Sequence, residues 1–254
     1  MTDRVNRTSP PTNGSVPVVA YLTRDDSVFV LHLGAVEVTD DEHVFGPDQV
    51  AEINALLDEV EAGQGPAALV TTSAGKFYST GLDTAWVLSH VDEVDPYVES
   101  VQRLLARILT FPMPTVAAVP GHAFGAGALF AIAHDHAVMR ADRGYLCMPG
   151  VTIGASYAPG SVMLVADRVP VRVGHELLMT GRRYGGTEAA ARGIVDAATP
   201  LDQVLPAALD HARAHQNTRG RTLGEIKASR YAATAAALRS AVRGVDGQAA
   251  IAGS

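Results

Sequence analysis

The sequence predicts one α/β domain with a helical C-terminal section, and three observations carry that reading. Short apolar, β-branched runs alternate with stretches of helical periodicity. A glycine-rich turn, Gly121 to Ala131, leads from one of those strands directly into a helix. No linker-like stretch divides the chain.

The elements follow in order. Met1 to Pro17 is rich in Thr, Asn, Pro, Ser and Gly, lacks the apolar run of a secretory signal, and reads as a disordered tail. Val18 to Leu22 and Val28 to Leu33 read as a strand hairpin around the polar turn Thr23 to Ser27. Gly46-Pro47-Asp48 opens a helix whose Val50, Ile53, Leu56, Leu57 and Val60 recur at helical spacing, and Gly63 and Gly65 end it. Ala67 to Thr72 is the next strand. Val101, Leu104, Leu105, Ile108 and Leu109 form a second helical stripe, broken by Pro112 and Pro114 before the strand Thr115 to Val119. Beyond the glycine turn, 137–140 and 145–148 are strand-like, and 161–169 and 174–180 are short helices. Helices are expected over 201–214 and 222–242, so the core is 18–200 and the helical section 201–254.

At 254 residues and 47% apolar composition, the chain can bury a substantial core. A net charge of -7 argues against a nucleic-acid partner, which needs a clustered basic surface. A single cysteine, Cys147, allows no intrachain disulfide and no Cys-x-x-Cys metal site, which suits a reducing cytoplasm. Every apolar run is interrupted short of the roughly 20 residues that cross a bilayer, so no membrane insertion is expected.

Two strand ends carry the chemistry, one entering Ser79-Thr80-Gly81-Leu82-Asp83 and the other Gly125-Ala126-Gly127. Each can leave backbone N–H groups unpaired, and two such donors can hold a developing oxyanion, with glycine letting a substrate approach the backbone. The bland alternative is that Gly125 and Gly127 serve only close helix-on-strand packing. The glycine spacing matches neither a dinucleotide fingerprint nor a P-loop.

Several ordered segments then resemble the crotonase, or enoyl-CoA hydratase/isomerase, superfamily. They are Lys76 to Asp83, Pro112 to Ala123, His134-Asp135, Asp142-Arg143-Gly144 and Thr187 to Asp196, within a match running from about Val28 to Asp196. The pattern is most similar to the Δ3,Δ2-enoyl-CoA isomerases. The resemblance implies a ClpP/crotonase-like fold of repeated ββα units in two roughly perpendicular sheets, with C-terminal helices used to build a homotrimer or hexamer. It implies an acyl-CoA ligand, with coenzyme A as part of the substrate and no separate cofactor or metal. Its oxyanion donors map to the N–H groups of Leu82 and Ala126. Its substrate contacts map to Ser79, Thr80, Gly81 and Asp83, beside Gly125, Gly127 and Leu129.

The chain also departs from that pattern. Leu129 and Gly150 occupy the positions of the two hydratase glutamates, and the isomerase setting Glu-x-x-Ile-Gly reads Gly150-Val151-Thr152-Ile153-Gly154. Gly150 therefore marks a missing glutamate, and Gly150→Glu should raise isomerase activity if that corner faces the substrate. Tyr157 is the first substitute to watch, since a phenol can donate or accept a proton. Asp83 is expected to fix its own turn, His122 to be a structural hydrogen-bonding residue and Cys147 a buried small hydrophobe. The contiguous His134-Asp135-His136 cannot converge on a metal.

Lys227 and Arg230, three apart on an expected helix, share a face and could clamp a CoA phosphate; Lys76 has a similar claim. A plain solvated helix face is the alternative. The sequence thus points to an acyl-CoA thioester enzyme of the isomerase type with a nonstandard or absent proton carrier. A catalytically silent fatty acyl-CoA binding or delivery protein is the second reading.

Overall fold

The structure, a computed structural model, describes residues 20–35, 39 and 41–243. The expected N-terminal tail, the first two residues of the first expected strand and the end of the C-terminal section lie outside the described residues. Strands β1 (Tyr21–Asp25) and β2 (Val28–His32) form the hairpin, and α1 (Pro47–Ala62) follows with proline in its first turn. The hairpin turn is tighter than the sequence suggested, because Thr23, Arg24 and Asp25 pair in register with Val30, Phe29 and Val28.

Three strand pairs come next, each placing its strands in two different sheets. They are β3 (Ala68–Thr72) with β4 (Phe77–Ser79), β5 (Thr115–Val119) with β6 (His122–Phe124), and β7 (His136–Arg140) with β8 (Tyr145–Cys147). Between the pairs lie α2 (Thr84–Ser89), α3 (Val94–Leu109) and α4 (Ala126–Ala133). The last pair leads to the single turn α5 (Gly150–Ile153), then α6 (Pro159–Arg168) and α7 (Val171–Thr180). Strand β9 (Tyr184–Gly185), α8 (Gly186–Ala191), β10 (Ala197–Thr199) and helices α9 (Leu201–His215), α10 (Arg221–Arg230) and α11 (Ala232–Arg239) complete the described chain.

The larger sheet runs β1-β2-β3-β5-β7-β10 and is parallel apart from the β1-β2 hairpin. The smaller runs β4-β6-β8-β9, with β9 antiparallel. Side-chain alternation explains the near-continuous apolar runs of the larger sheet. Val28, Val30, Ala68, Val70, Val116, Ala118 and Val138 face Val204, Ala208 and Ala212 of α9. The intervening Phe29, Leu31, Leu69, Ala117, Val119 and Met139 face the main core.

The C-terminal section departs from the single helix expected over 222–242. It breaks at Tyr231 (φ -109°, ψ 23°), whose hydroxyl accepts a bond from Arg168 Nη1 at 2.7 Å, so α11 turns to pack on α3 and α6. Among the described residues no helix is long and apolar enough to cross a membrane.

Candidate functional site

Parallel pairing of β4 with β6 brings the two predicted strand ends side by side. A Cβ on Gly81 would stand 2.7 Å from the Phe124 carbonyl oxygen and 2.8 Å from Ala126 N, so the two backbones are in direct contact. Gly81 (φ +96°) and Gly125 (φ +52°) both lie in the left-handed half of backbone space, and glycine is required to turn the chain at both. Gly127 completes the fit, since a Cβ there would meet the Ser79 carbonyl oxygen at 2.4 Å. The packing role weighed for this glycine and the close approach of two loops are therefore one arrangement.

The N–H groups flanking Leu82 are occupied. Gly81 N–H donates to Ser79 Oγ at 3.1 Å, and Asp83 N–H to the Tyr97 hydroxyl at 2.8 Å. Tyr97 in turn donates to the Phe45 carbonyl at 2.6 Å, tying α3 to the loop ahead of α1. Asp83 caps α2 by accepting from Trp86 N–H at 2.9 Å, the turn-fixing role the sequence suggested. Among the described residues, neither Leu82 N–H nor Ala126 N–H has a backbone or side-chain acceptor, and Ala126 opens α4 where N–H groups have no intrahelical partner.

The residues that carry both donors, Leu82 and Ala126, line an apolar pocket with Leu129 and Gly150, with Val98, Val101 and Leu105 of α3, and with Ile153 and Tyr157. Thr80 and Gly125 also line it, while Ser79 is fully buried and is not among its lining residues. Its described lining holds no carboxylate, imidazole, amine, guanidinium or thiol; the polar groups are the side chains of Thr80, Thr84, Gln102, Ser156, Tyr157 and Ser161. Tyr157 is the group that stands at the Gly150 corner. Its oxygen accepts the Gly150 N–H at 2.7 Å, and burial pushes its pKa up to about 12, with that hydrogen bond opposing.

The other candidates are placed elsewhere. Lys227 is a correction: it is turned inward and 5% exposed, donating to the Met113 carbonyl at 2.9 Å and to Asp135 Oδ2 at 2.6 Å. The Asp135 carboxylate and the carbonyl draw the ammonium into the core, so it has no free donor face for a phosphate, and Lys227 and Arg230 do not form a clamp. Arg230 remains exposed over the Tyr231 ring, 3.9 Å from Asp167. Lys76 lies at the start of β4, the far end of that strand from Gly81, in a cleft with His122 and Arg143. His122 accepts from Tyr145 N–H at 3.2 Å, and Cys147 is buried with its pKa raised by that burial, so both are structural as expected. Among the described residues no cluster of His, Cys, Asp or Glu is arranged to hold a metal.

Sequence reasoning missed Tyr97 and Gln102. Tyr97 gave no signal, being one aromatic in an amphipathic helix. Gln102 gave one, a polar residue inside the apolar stripe Val98, Val101, Leu105.

Comparison with known proteins places the chain in a family and a fold. Residues 41–246 match the family model for enoyl-CoA hydratase/isomerase. Enoyl-CoA delta isomerase 3 of Arabidopsis thaliana is 40% identical over 165 residues, covering 63% of this chain and 69% of the relative. A putative enoyl-CoA hydratase of Thermus thermophilus is 37% identical over 181 residues, covering 68% and 70%. The crystal structure of a probable enoyl-CoA hydratase from Mycobacterium tuberculosis superposes with a TM-score of 0.81 at 25% identity, covering 93% of this chain and 97% of that one. The two sheets and their helices are the fold of that structure.

Proposed function

The chain belongs to the enoyl-CoA hydratase/isomerase family, and on that premise we propose that it is an acyl-CoA thioester enzyme of the enoyl-CoA isomerase type with Tyr157 in place of the glutamate. The observation that supports the reading is the close approach of Gly81 to Ala126, with the residues of two unpartnered backbone donors, Leu82 and Ala126, lining one apolar pocket. The N–H groups of Leu82 and Ala126 would hold the thioester oxygen as it gains enolate charge, each donor worth about 3 kcal/mol in comparable sites. Ser79, Gly81, Asp83, Gly125 and Gly127 shape that cradle, and Leu129 walls the acyl chain.

Proton transfer is the weak step. A phenol with a pKa of about 12 is a competent donor to an enolate carbon, but only about 10⁻⁵ of it is phenolate at neutral pH. Deprotonation at the carbon next to the thioester is therefore slow compared with a carboxylate-equipped site. No cofactor beyond the coenzyme A of the substrate enters the proposal, and the family's trimer or hexamer belongs to it.

A second reading is a catalytically silent fatty acyl-CoA binder, favoured by one observation: the described pocket lining offers no group that is a base at neutral pH. Incubation with a 3-enoyl-CoA, following the conjugated 2-enoyl thioester, separates the two. Turnover above the buffer rate that is lost in Tyr157→Phe supports the enzyme. Tight binding of acyl-CoA with no turnover supports the binder, and absence of binding overturns both.

A further inference from the structure

Three histidines away from the acyl pocket stand in one column between α9 and the larger sheet. His136 opens β7 on the face that carries Val138, the face covered by α9, and His211 and His215 lie one turn apart near the end of that helix. The ring centroids of His136 and His211 are 3.7 Å apart at an interplanar angle of 8°, and those of His211 and His215 are 4.4 Å apart at 26°. Stacked faces do not aim their nitrogens at a common point, and no metal cluster is found here among the described residues.

One carboxylate serves the column. Asp196 Oδ2, which accepts the Ala137 N–H at 2.8 Å, stands 3.6 Å from His136 Nδ1. Asp135 also attracts a proton to His211, but is paired with Lys227 at 2.6 Å. At the other end, His215 Nδ1–H donates to the His211 carbonyl at 2.9 Å. On α9 itself Arg213 pairs with Asp25 and Asp210, at 2.8 and 3.1 Å. Strands β3, β5 and β10 under the helix carry no charged side chain; His32 of β2 stacks on Tyr21, Arg140 of β7 pairs with Asp142, and Glu188 of α8 pairs with Arg182. Burial, and then the neighbouring imidazoles, hold His211 below its ordinary value; burial also lowers His136, with Asp196 opposing.

We propose that the column is a pH-sensitive latch: neutral rings hold the C-terminal half of α9 on the sheet, and protonation of more than one of them loosens it. A first proton on His136 is matched by Asp196. A second places two imidazolium rings 3.7 or 4.4 Å apart with no further unpaired carboxylate beside them, so it binds more readily once the end of the helix has moved away. The folded values lie below the ordinary one, so the latch is fully set above about pH 6.5 and weakens as the pH falls. Its action is on the outer face of the sheet, where α9 covers Val116 and Val138, and not on the core side that holds Val101, Leu105 and Leu129 of the pocket.

Hydrogen exchange on the full chain tests this at about pH 7.5 and about pH 5.5, with protection corrected for the intrinsic rate at each pH. Amides of α9 should lose about tenfold or more in protection at the lower pH, while those of the central strand β5 hold theirs. His211→Phe keeps a flat ring in the column but cannot take a proton, and should cut the loss to less than about threefold. His211→Gln gives the same readout should the phenylalanine fail to pack. Unchanged protection of α9 in the parent protein overturns the inference. A loss shared equally by α9 and β5, or one that persists in the folded His211 variants, overturns it as well.

Discussion

The Tyr157 hydroxyl accepts the Gly150 N–H at 2.7 Å, and the same ring fills the space a side chain at 150 would need. A Cβ on Gly150 would meet Tyr157 Cε2 at 2.6 Å, Cζ at 2.7 Å and the Ala155 carbonyl oxygen at 2.4 Å. The phenol and the missing carboxylate are thus mutually exclusive in this backbone.

The expectation that Gly150→Glu raises isomerase activity is corrected accordingly. The variant should lose about 1–3 kcal/mol in denaturant unfolding and gain no turnover, because both ring and carbonyl must move first. A gain in activity at unchanged stability would show that the corner relaxes without cost.

Turnover by Tyr157 carries a pH signature. With the phenol pKa pushed up to about 12, phenolate rises tenfold per pH unit, so the isomerase rate should climb with a log slope of about 1 between roughly pH 7 and 10. Tyr157→Phe should lose both rate and slope. A flat profile in the parent protein would remove Tyr157 from the reaction.

Cradle geometry predicts a sharp contrast among substitutions. Gly81→Ala forces a Cβ against Phe124 O and Ala126 N at positive φ and should weaken acyl-CoA binding at least about tenfold. Leu82→Ala and Ala126→Ser retain the backbone donors and should bind within about threefold of the parent. Equal losses in all three would place the recognition in side chains.

Lys227→Met should destabilise the fold and spare the ligand. It removes the ammonium from the Asp135 carboxylate, which is 34% exposed and keeps the Thr115 N–H at 2.8 Å, so the loss is about 2 kcal/mol, below the cost for a fully buried, otherwise unpaired partner. Acyl-CoA affinity should be unchanged; a clear loss of affinity in the folded variant would return Lys227 to the phosphate site.

Acid should weaken the fold through His134. Its Nδ1–H donates to the Phe130 carbonyl at 2.7 Å and its Nε2 accepts from Thr71 Oγ1 at 2.9 Å, so the ring is held neutral, and burial lowers its pKa to about 4. The folded pKa lies below the unfolded value, so the unfolded chain takes up the extra proton. Stability is full above about pH 6.5 and falls towards pH 4, by about 1.4 kcal/mol per unit at most. His32, also lowered to about 4 by burial, adds to the same window. Urea midpoints that do not move between these pH values would contradict the neutral assignment.

Most of the fold was legible because period and punctuation are local. Pro47 marked the start of α1, and Pro112 and Pro114 the stop between α3 and β5, where φ restriction leaves little choice. The break at Tyr231 was not legible, since it depends on Arg168 arriving from α6. The turns at Gly81 and Gly125 were legible because positive φ leaves a trace in residue type. The inward turn of Lys227 was not, because its partners Asp135 and Met113 are far away in sequence. The same holds for Tyr157 against Gly150: the absence of an acid is written at one position, but the ring that takes its place is seen only in three dimensions.

A cradle made of main-chain N–H groups is indifferent to the side chains that carry them. On the proposed reading, substitution at the 150 corner would erase or exchange the reaction while the turns at Gly81 and Gly125 went on selecting the same kind of ligand. In such a scaffold, affinity and turnover are inherited separately, and the glycines are the better guide to what the pocket holds.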